Sequence, residues 1–185
     1  MRAFVTLDLP EALIAPLTRL QAGLDVGRAV PEDNLHLTLA FLGEVSAAAL
    51  SDLALGLEGL SLAPVELSLR GLDLFGGRKP GVLFAAVEAT PDLTRLHAKV
   101  LQAVRAAGIG MGRERFRPHV TIARLPRVLG PKHERRLADF LHLNGAFSTP
   151  PATATSVTIY ESHLRPEGPL HLPLASVDLR SQATP

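Results

Sequence analysis

Cysteine is absent from the 185-residue sequence. Its absence excludes a disulfide framework, thiolate zinc sites, iron–sulfur clusters and cysteine nucleophiles. Aromatic residues are scarce, at 4% with seven Phe and one Tyr, which disfavours recognition of nucleic acid by a multi-aromatic stacking platform. Nor does charge of one sign dominate: 19 Lys+Arg against 18 Asp+Glu leave +1, so no global basic field advertises nucleic acid. No apolar run approaches the ~18 residues of a membrane span. Asp8, Pro10 and Glu11 interrupt the opening MRAFVTLDLPEALIAPL before it can form a signal-peptide core. A soluble, cytoplasmic protein without membrane association is the expectation. A hydrophobic content of 46% with 20% charged residues reads as a folded globule. Its reactive equipment is seven His, the carboxylates, the hydroxyls and a basic set dominated by Arg.

Hydrophobic periodicity orders the chain into elements. Arg2 to Leu9 alternates as a strand, and Pro10-Glu11 opens a helix with Leu13, Ile14, Leu17, Leu20 and Leu24 on one face. Pro16 inside it is expected to kink or fray that helix. Leu35 to Leu42 reads as a strand, Ser46 as the cap of a helix carrying Leu50, Leu53, Leu57 and Leu60, and Pro64 to Phe75 as a half-buried strand. After the loop Gly76 to Gly81 the order begins again. A strand from Val82 to Glu88 leads to the Thr90-Pro91-Asp92 cap of a second long helix, which Gly108 stops. A strand from Pro118 to Arg124 and a helix from Pro131 follow, then late strands at Thr153 to Leu164 and Leu170 to Leu179.

Helix openings at Pro10 and Pro91 lie 81 residues apart, and those at Ser46 and Pro131 lie 85 apart. A near-constant offset over successive elements indicates internal duplication. The expected fold is α+β: two pseudo-symmetric lobes, each an antiparallel sheet with two helices outside, enclosing a central cleft. Residues 1–180 would form one bilobal domain with halves of about 1–76 and 82–180, and 181–185 a disordered tail.

The offset repeats a chemical string. Asn34-Leu35-His36-Leu37-Thr38-Leu39 and Arg117-Pro118-His119-Val120-Thr121-Ile122 each carry His-x-Thr in the second strand of a half, 83 residues apart. Residues two apart in a strand share a face, about 6.6 Å apart along the chain. Each strand therefore presents an imidazole and a hydroxyl to one side, and a pseudo-twofold would face the two pairs across a cleft. The plainer alternative is that these side chains occupy the wet face of half-exposed strands.

Paired motifs of this kind resemble the two-histidine phosphoesterase superfamily. Within it, NLHLTLAFLGEV, FRPHVTIAR and the late segment VTIYESHLRPEGPLH are similar to the bacterial and archaeal RNA 2′,3′-cyclic phosphodiesterases, also called 2′-5′ RNA ligases. Arg124, five residues after the second His, matches the same pattern. Opening a cyclic phosphodiester requires a base for water, an acid for the departing oxygen and donors for the phosphoryl oxygens. Histidine can fill either of the first two roles near neutral pH. Thr38, Thr121 and Arg124 are candidates for the third. Neither metal nor other cofactor is called for. The resemblance implies that His36 donates the proton to the leaving 3′-oxygen and His119 accepts one from water, leaving a 2′-phosphate, with some reverse 2′-5′ joining. The residues alone do not assign the two roles. The implied partner is RNA ending in a 2′,3′-cyclic phosphate, bound by a monomer.

Secondary RNA contacts are sought in the local cluster Arg113, Arg115, Arg117, Arg124 and Arg127, opposed only by Glu114. Charge that keeps a strand edge from pairing is the competing use. Phe41, Phe84 and Tyr160 could stack on a base, although core burial is the favoured use of both Phe. His97, His142, His163 and His171 lack counterparts at the repeat offset and read as edge-of-core residues. His133-Glu134 begins like a zinc HExxH motif, but Leu137 stands where the second His is needed. Two further readings stay open: hydrolysis of another small cyclic phosphate, such as a cyclic nucleotide or ADP-ribose derivative, and a non-catalytic RNA-end-binding module.

Overall fold

The alternating segments pair almost wholly into one antiparallel sheet. The computed structural model describes residues 1–77, 79–112, 115–166 and 168–180. The expected tail at 181–185, together with Arg78, Arg113, Glu114 and Glu167, lies outside the described residues. The strands are β1 (Arg2–Asp8), β2 (Arg28–Ala29), β3 (His36–Glu44), β4 (Val65–Leu67), β5 (Leu69–Phe75), β6 (Val82–Val87), β7 (His119–Arg124), β8 (Ala152–Ala154), β9 (Ser156–Arg165) and β10 (Gly168–Asp178). The helices are α1 (Glu11–Ala22), α2 (Ala47–Glu58), α3 (Pro91–Ala106) and α4 (Pro131–Leu143). Ser46 and Thr90 cap α2 and α3 as expected, accepting from the amides of Ala49 and Leu93 at 3.2 Å each. Pro16 does not interrupt α1.

In the main sheet the order is β10-β9-β1-β3-β7-β6-β5, with β2 added beside β7, while β4 and β8 form a separate two-stranded sheet. Two strands that read as single in the sequence are each split. Between β4 and β5, Ser68 turns inward and its hydroxyl donates to Glu88 at 2.9 Å. Between β8 and β9 the chain breaks at Thr155.

The order is symmetric about the β3–β7 junction: β1 answers to β6, and β9 answers to β5. Only β10 in this path has no counterpart. The repeat is therefore visible in the sheet, but a cut at about 77–81 does not divide it. β5 of the first chain half pairs with β6 of the second, and β9 of the second pairs with β1 of the first. Helices cross in the same way. Gln21 of α1 donates at 2.8 Å to the carbonyls of Val30 and Ile122, tying α1 to β7. On the other side, α3 packs against β3. The buried stripes Leu13, Leu17 and Leu20 of α1, and Leu93, Leu96, Val100 and Val104 of α3, follow the helical period. They join Leu37, Leu39, Val120 and Ile122 in one core. That burial commits the other face of β3 and β7 to the cleft.

Candidate active site

A single register pair, Leu37 opposite Val120, joins β3 to β7. Both residues are fully buried. Continuing that antiparallel register sets His36 opposite Thr121 and Thr38 opposite His119, all four on the opposite face. The two histidines thus occupy diagonal corners. Diagonal neighbours in a regular ladder are about 7–8 Å apart, and the strands diverge beyond this pair. All four side chains are half-buried.

Arg124 reaches the same face because β7 is bulged. An odd separation of five residues would place it opposite His119 in a regular strand. The β6–β7 register, however, runs Ala86 to His119, Phe84 to Thr121 and Val82 to Arg124, with a shift that skips Ile122. β3 has the same irregularity: Asp8 faces His36, Thr6 faces Thr38, and Phe4 faces Phe41, with Leu39 skipped. Each bulge re-aims the fifth residue after the histidine into the cleft. Arg124 and Phe41 therefore occupy equivalent places, and Phe41 is 64% exposed. The favoured expectation of a core role for Phe41 is corrected. Its strand turns it outward.

Nδ1 of His119 lies 2.7 Å from the carbonyl oxygen of Arg117, and the backbone of Asn34, at the same two-residue spacing, favours the charged form of His36. A ring nitrogen tied to a carbonyl carries the proton in the neutral tautomer, leaving the other nitrogen free for chemistry. Aromatic rings brace each histidine. Phe4 lies 5.1 Å from His36, while Phe84 and Phe75 lie 5.1 and 4.8 Å from His119. Phe84 has 0% exposure, so it supports His119 from below and offers no face to a base. Tyr160 is half-buried and stacks on Phe4 at 5.6 Å. Burial and the nearby Asp8 push its phenol above the ordinary range, keeping the hydroxyl protonated.

Burial dominates the electrostatics. It lowers the pKa of His36 to about 4, reinforced by the positive charges of His171, His119 and Arg124 and opposed by the Asn34 hydrogen bond. His119 is lowered as well, first by burial and then by Arg117, against the bond to the Arg117 carbonyl. Arg124 and Arg115 are exposed. Arg117 is engaged: it pairs with Asp73, and its guanidinium lies 5.1 and 5.0 Å from the rings of Phe75 and Phe84.

One cleft residue departs from its sequence reading. His171 of β10, expected at an edge of the core, has its ring 5.5 Å from His36 and 4.8 Å from Phe4. Its only sequence signal is a position in a strand that the duplication does not repeat. His97 instead stacks on Phe116 at 3.7 Å, and His163 pairs with Glu161 at 3.1 Å. Asp8 also escapes the sequence reading. It lies on the cleft face and accepts hydrogen bonds from the hydroxyls of Thr6, Ser156 and Thr158 at 3.0, 2.8 and 2.6 Å.

A duplicated antiparallel sheet with two His-x-Thr strands meeting at its pseudo-twofold defines a two-histidine phosphoesterase. Residues 9–166 match the 2′-5′ RNA ligase superfamily, and the chain belongs to that family. The RNA 2′,3′-cyclic phosphodiesterase of Archaeoglobus fulgidus is 27% identical over 175 residues, covering 92% of this chain and 96% of that protein. The enzyme of the same name from Thermus thermophilus is 32% identical over 203 residues, covering 98% and 92%. Among solved structures, a Thermus thermophilus protein superimposes with a TM-score of 0.79 at 28% identity, covering 98% of this chain and 100% of that one. Escherichia coli LigT complexed with 3′-AMP gives 0.75 at 25% identity, covering 97% and 98%. Among the described residues, no helix is long and apolar enough to cross a membrane.

Proposed function

We propose that the protein hydrolyses RNA 2′,3′-cyclic phosphate ends to 2′-phosphates. The observation carrying this reading is the pair of diagonally placed, half-buried histidines on one face of β3 and β7, with His119 tethered through the Arg117 carbonyl. In the proposed reaction His119 removes a proton from water as the water oxygen bonds to phosphorus. The bond from phosphorus to the 3′-oxygen breaks, and that oxygen takes a proton from His36. The product carries a 2′-phosphate and a free 3′-hydroxyl. A pair on opposite sides of phosphorus suits in-line displacement, each member contributing ~10²–10⁴ in rate. Thr38, Thr121 and Arg124 hold the non-bridging oxygens where charge accumulates. No metal or cofactor enters this scheme.

His36, its pKa held at about 4, is neutral near pH 7 in the free protein, so it must take up a proton from solvent as substrate binds. An anionic phosphate beside it adds negative charge at the ring and favours the imidazolium. The same displacement accepts an RNA 5′-hydroxyl in place of water, which gives 2′-5′ joining. Phe41 and Tyr160, on the cleft face, are placed to meet a base, and Arg115 to meet an upstream phosphate. Arg117 is committed to Asp73 and the Phe rings, and acts through its carbonyl on His119. The protein works as a monomer in the cytoplasm in this reading.

The test is an oligoribonucleotide ending in a 2′,3′-cyclic phosphate, incubated with the protein in the presence of EDTA. A 2′-phosphate product, lost in His36→Ala and in His119→Ala, is expected. Turnover surviving either substitution overturns the two-histidine mechanism, and binding without turnover identifies an RNA-end-binding module instead.

A further inference from the structure

The pseudo-twofold makes His36 and His119 near-equivalent in backbone setting, yet acid and base must differ. Within the seven-strand path the sheet breaks its own symmetry at one strand. β10 has no counterpart beside β5, and it brings His171 to the ring of His36. On the other side the edge-on neighbour of His119 is Phe75 of β5, at 4.8 Å and 77°. His171 meets His36 at 5.5 Å and 67°, and both rings rest on Phe4. A titratable ring therefore stands on one side where an apolar ring stands on the other.

We propose that His171 is a positioning residue for His36: it packs edge-on against both the imidazole and Phe4, and it competes with the imidazole for the proton taken up as substrate binds. This rests on the two-histidine reading of the cleft. The groups facing the pair are Arg124 and His119 on β7, which act on His36, and Tyr160 on β9, whose ring is 6.3 Å from His171. Asp8 on β1 is the register partner of His36, but its carboxylate is held by three hydroxyls and acts on Tyr160. The side chains that act on His36 are His171, His119 and Arg124, none of them an anion. A charge on His171 opposes one on His36. Burial and Arg124 lower His171 as well, so the two rings titrate as a coupled pair.

Phe in place of His171 keeps an edge-on ring and deletes the competitor. Imidazole NMR titration of His36 in His171→Phe should show about a tenfold rise in proton affinity, the scale expected of a like charge ~5 Å away at a partly screened site. The ratio of kcat/KM at about pH 5 to that at about pH 7 should rise severalfold, because the productive form needs His36 charged. His171→Gln, which also removes the charge, should move both readouts in the same direction. In the wild-type protein the His36 resonances should respond to titration of His171 in two steps. A His36 titration unchanged in both variants, or one-step in the wild type, overturns the proposal. Those readings need no turnover, so loss of the phosphodiesterase reading would leave them standing.

Discussion

Nδ1 of His119 lies 2.7 Å from the carbonyl of Arg117, and His36, 83 residues earlier, is acted on by the backbone of Asn34 at the same two-residue spacing. The bond of His119 leaves its other ring nitrogen for chemistry. An Asn side chain can imitate Nδ1–H but has nothing at the Nε2 position. His36→Asn and His119→Asn should therefore keep the fold and the strand geometry while kcat falls by about 10²–10⁴ each, with KM changed far less. Steady-state kinetics on a cyclic-phosphate oligonucleotide reads both numbers. A loss confined to KM would make the histidines binding groups.

The pH dependence should differ between kcat/KM and kcat. The free protein sets the first, and there His36 is held at about 4 while His119 is also lowered. The bound complex sets the second. A docked anion favours the charged imidazole, so the alkaline limb, on which the acid loses its proton, should lie at higher pH in kcat than in kcat/KM. Both profiles should be bell-shaped. Coincident alkaline limbs would show that His36 takes up no proton as substrate binds.

How much of this is legible in the sequence depends on which interaction holds each feature. Helix faces, caps and the two His-x-Thr strings are readable because they rest on local periodicity, as with Thr90 on the amide of Leu93. Three features are not, for three physical reasons. The bulges that skip Leu39 and Ile122 are properties of strand register, so periodicity assigns Phe41 to the core when its side chain turns outward. The crossing of β5 and β9 between chain halves depends on pairing partners, which no single strand's pattern encodes. His171 lies on a strand outside the duplication, and an argument from repeat offsets passes over it.

Gly27 links the backbone to the position of Arg124. Its φ is +79°, and a Cβ there would lie 2.4 Å from the Arg124 carbonyl oxygen. Gly71 has a similar φ of +77° but nothing within 4 Å. Both Ala variants carry the left-handed backbone cost of about 1 kcal/mol. Only Gly27→Ala must also push β2 away from β7, where Arg28 lies opposite Arg124 in the strand register. Denaturant unfolding should show Gly27→Ala less stable than Gly71→Ala by about 1–3 kcal/mol, with a loss of activity in the first variant alone. Equal effects would mean that the segment before β2 yields without moving Arg124.

Acid should destabilise the protein through the cleft before the carboxylates titrate. The pKa of His36 is lowered on folding, from an ordinary value near 6.5 to about 4. Above that ordinary value both states are neutral and the group costs nothing. As pH falls the unfolded chain takes the proton first, so stability is lost progressively from about 6.5 down to about 4. For His36 alone the loss amounts to about 3 kcal/mol at the lower end, and His97, His119 and His171 are shifted in the same direction. Urea unfolding should show the wild type losing stability relative to His36→Gln as pH falls through this window, since Gln carries no proton cost. Parallel curves would mean that water or a shifted ring solvates His36 in the folded cleft, and that the histidine enters catalysis without the burial on which its need to take up a proton with substrate binding rests.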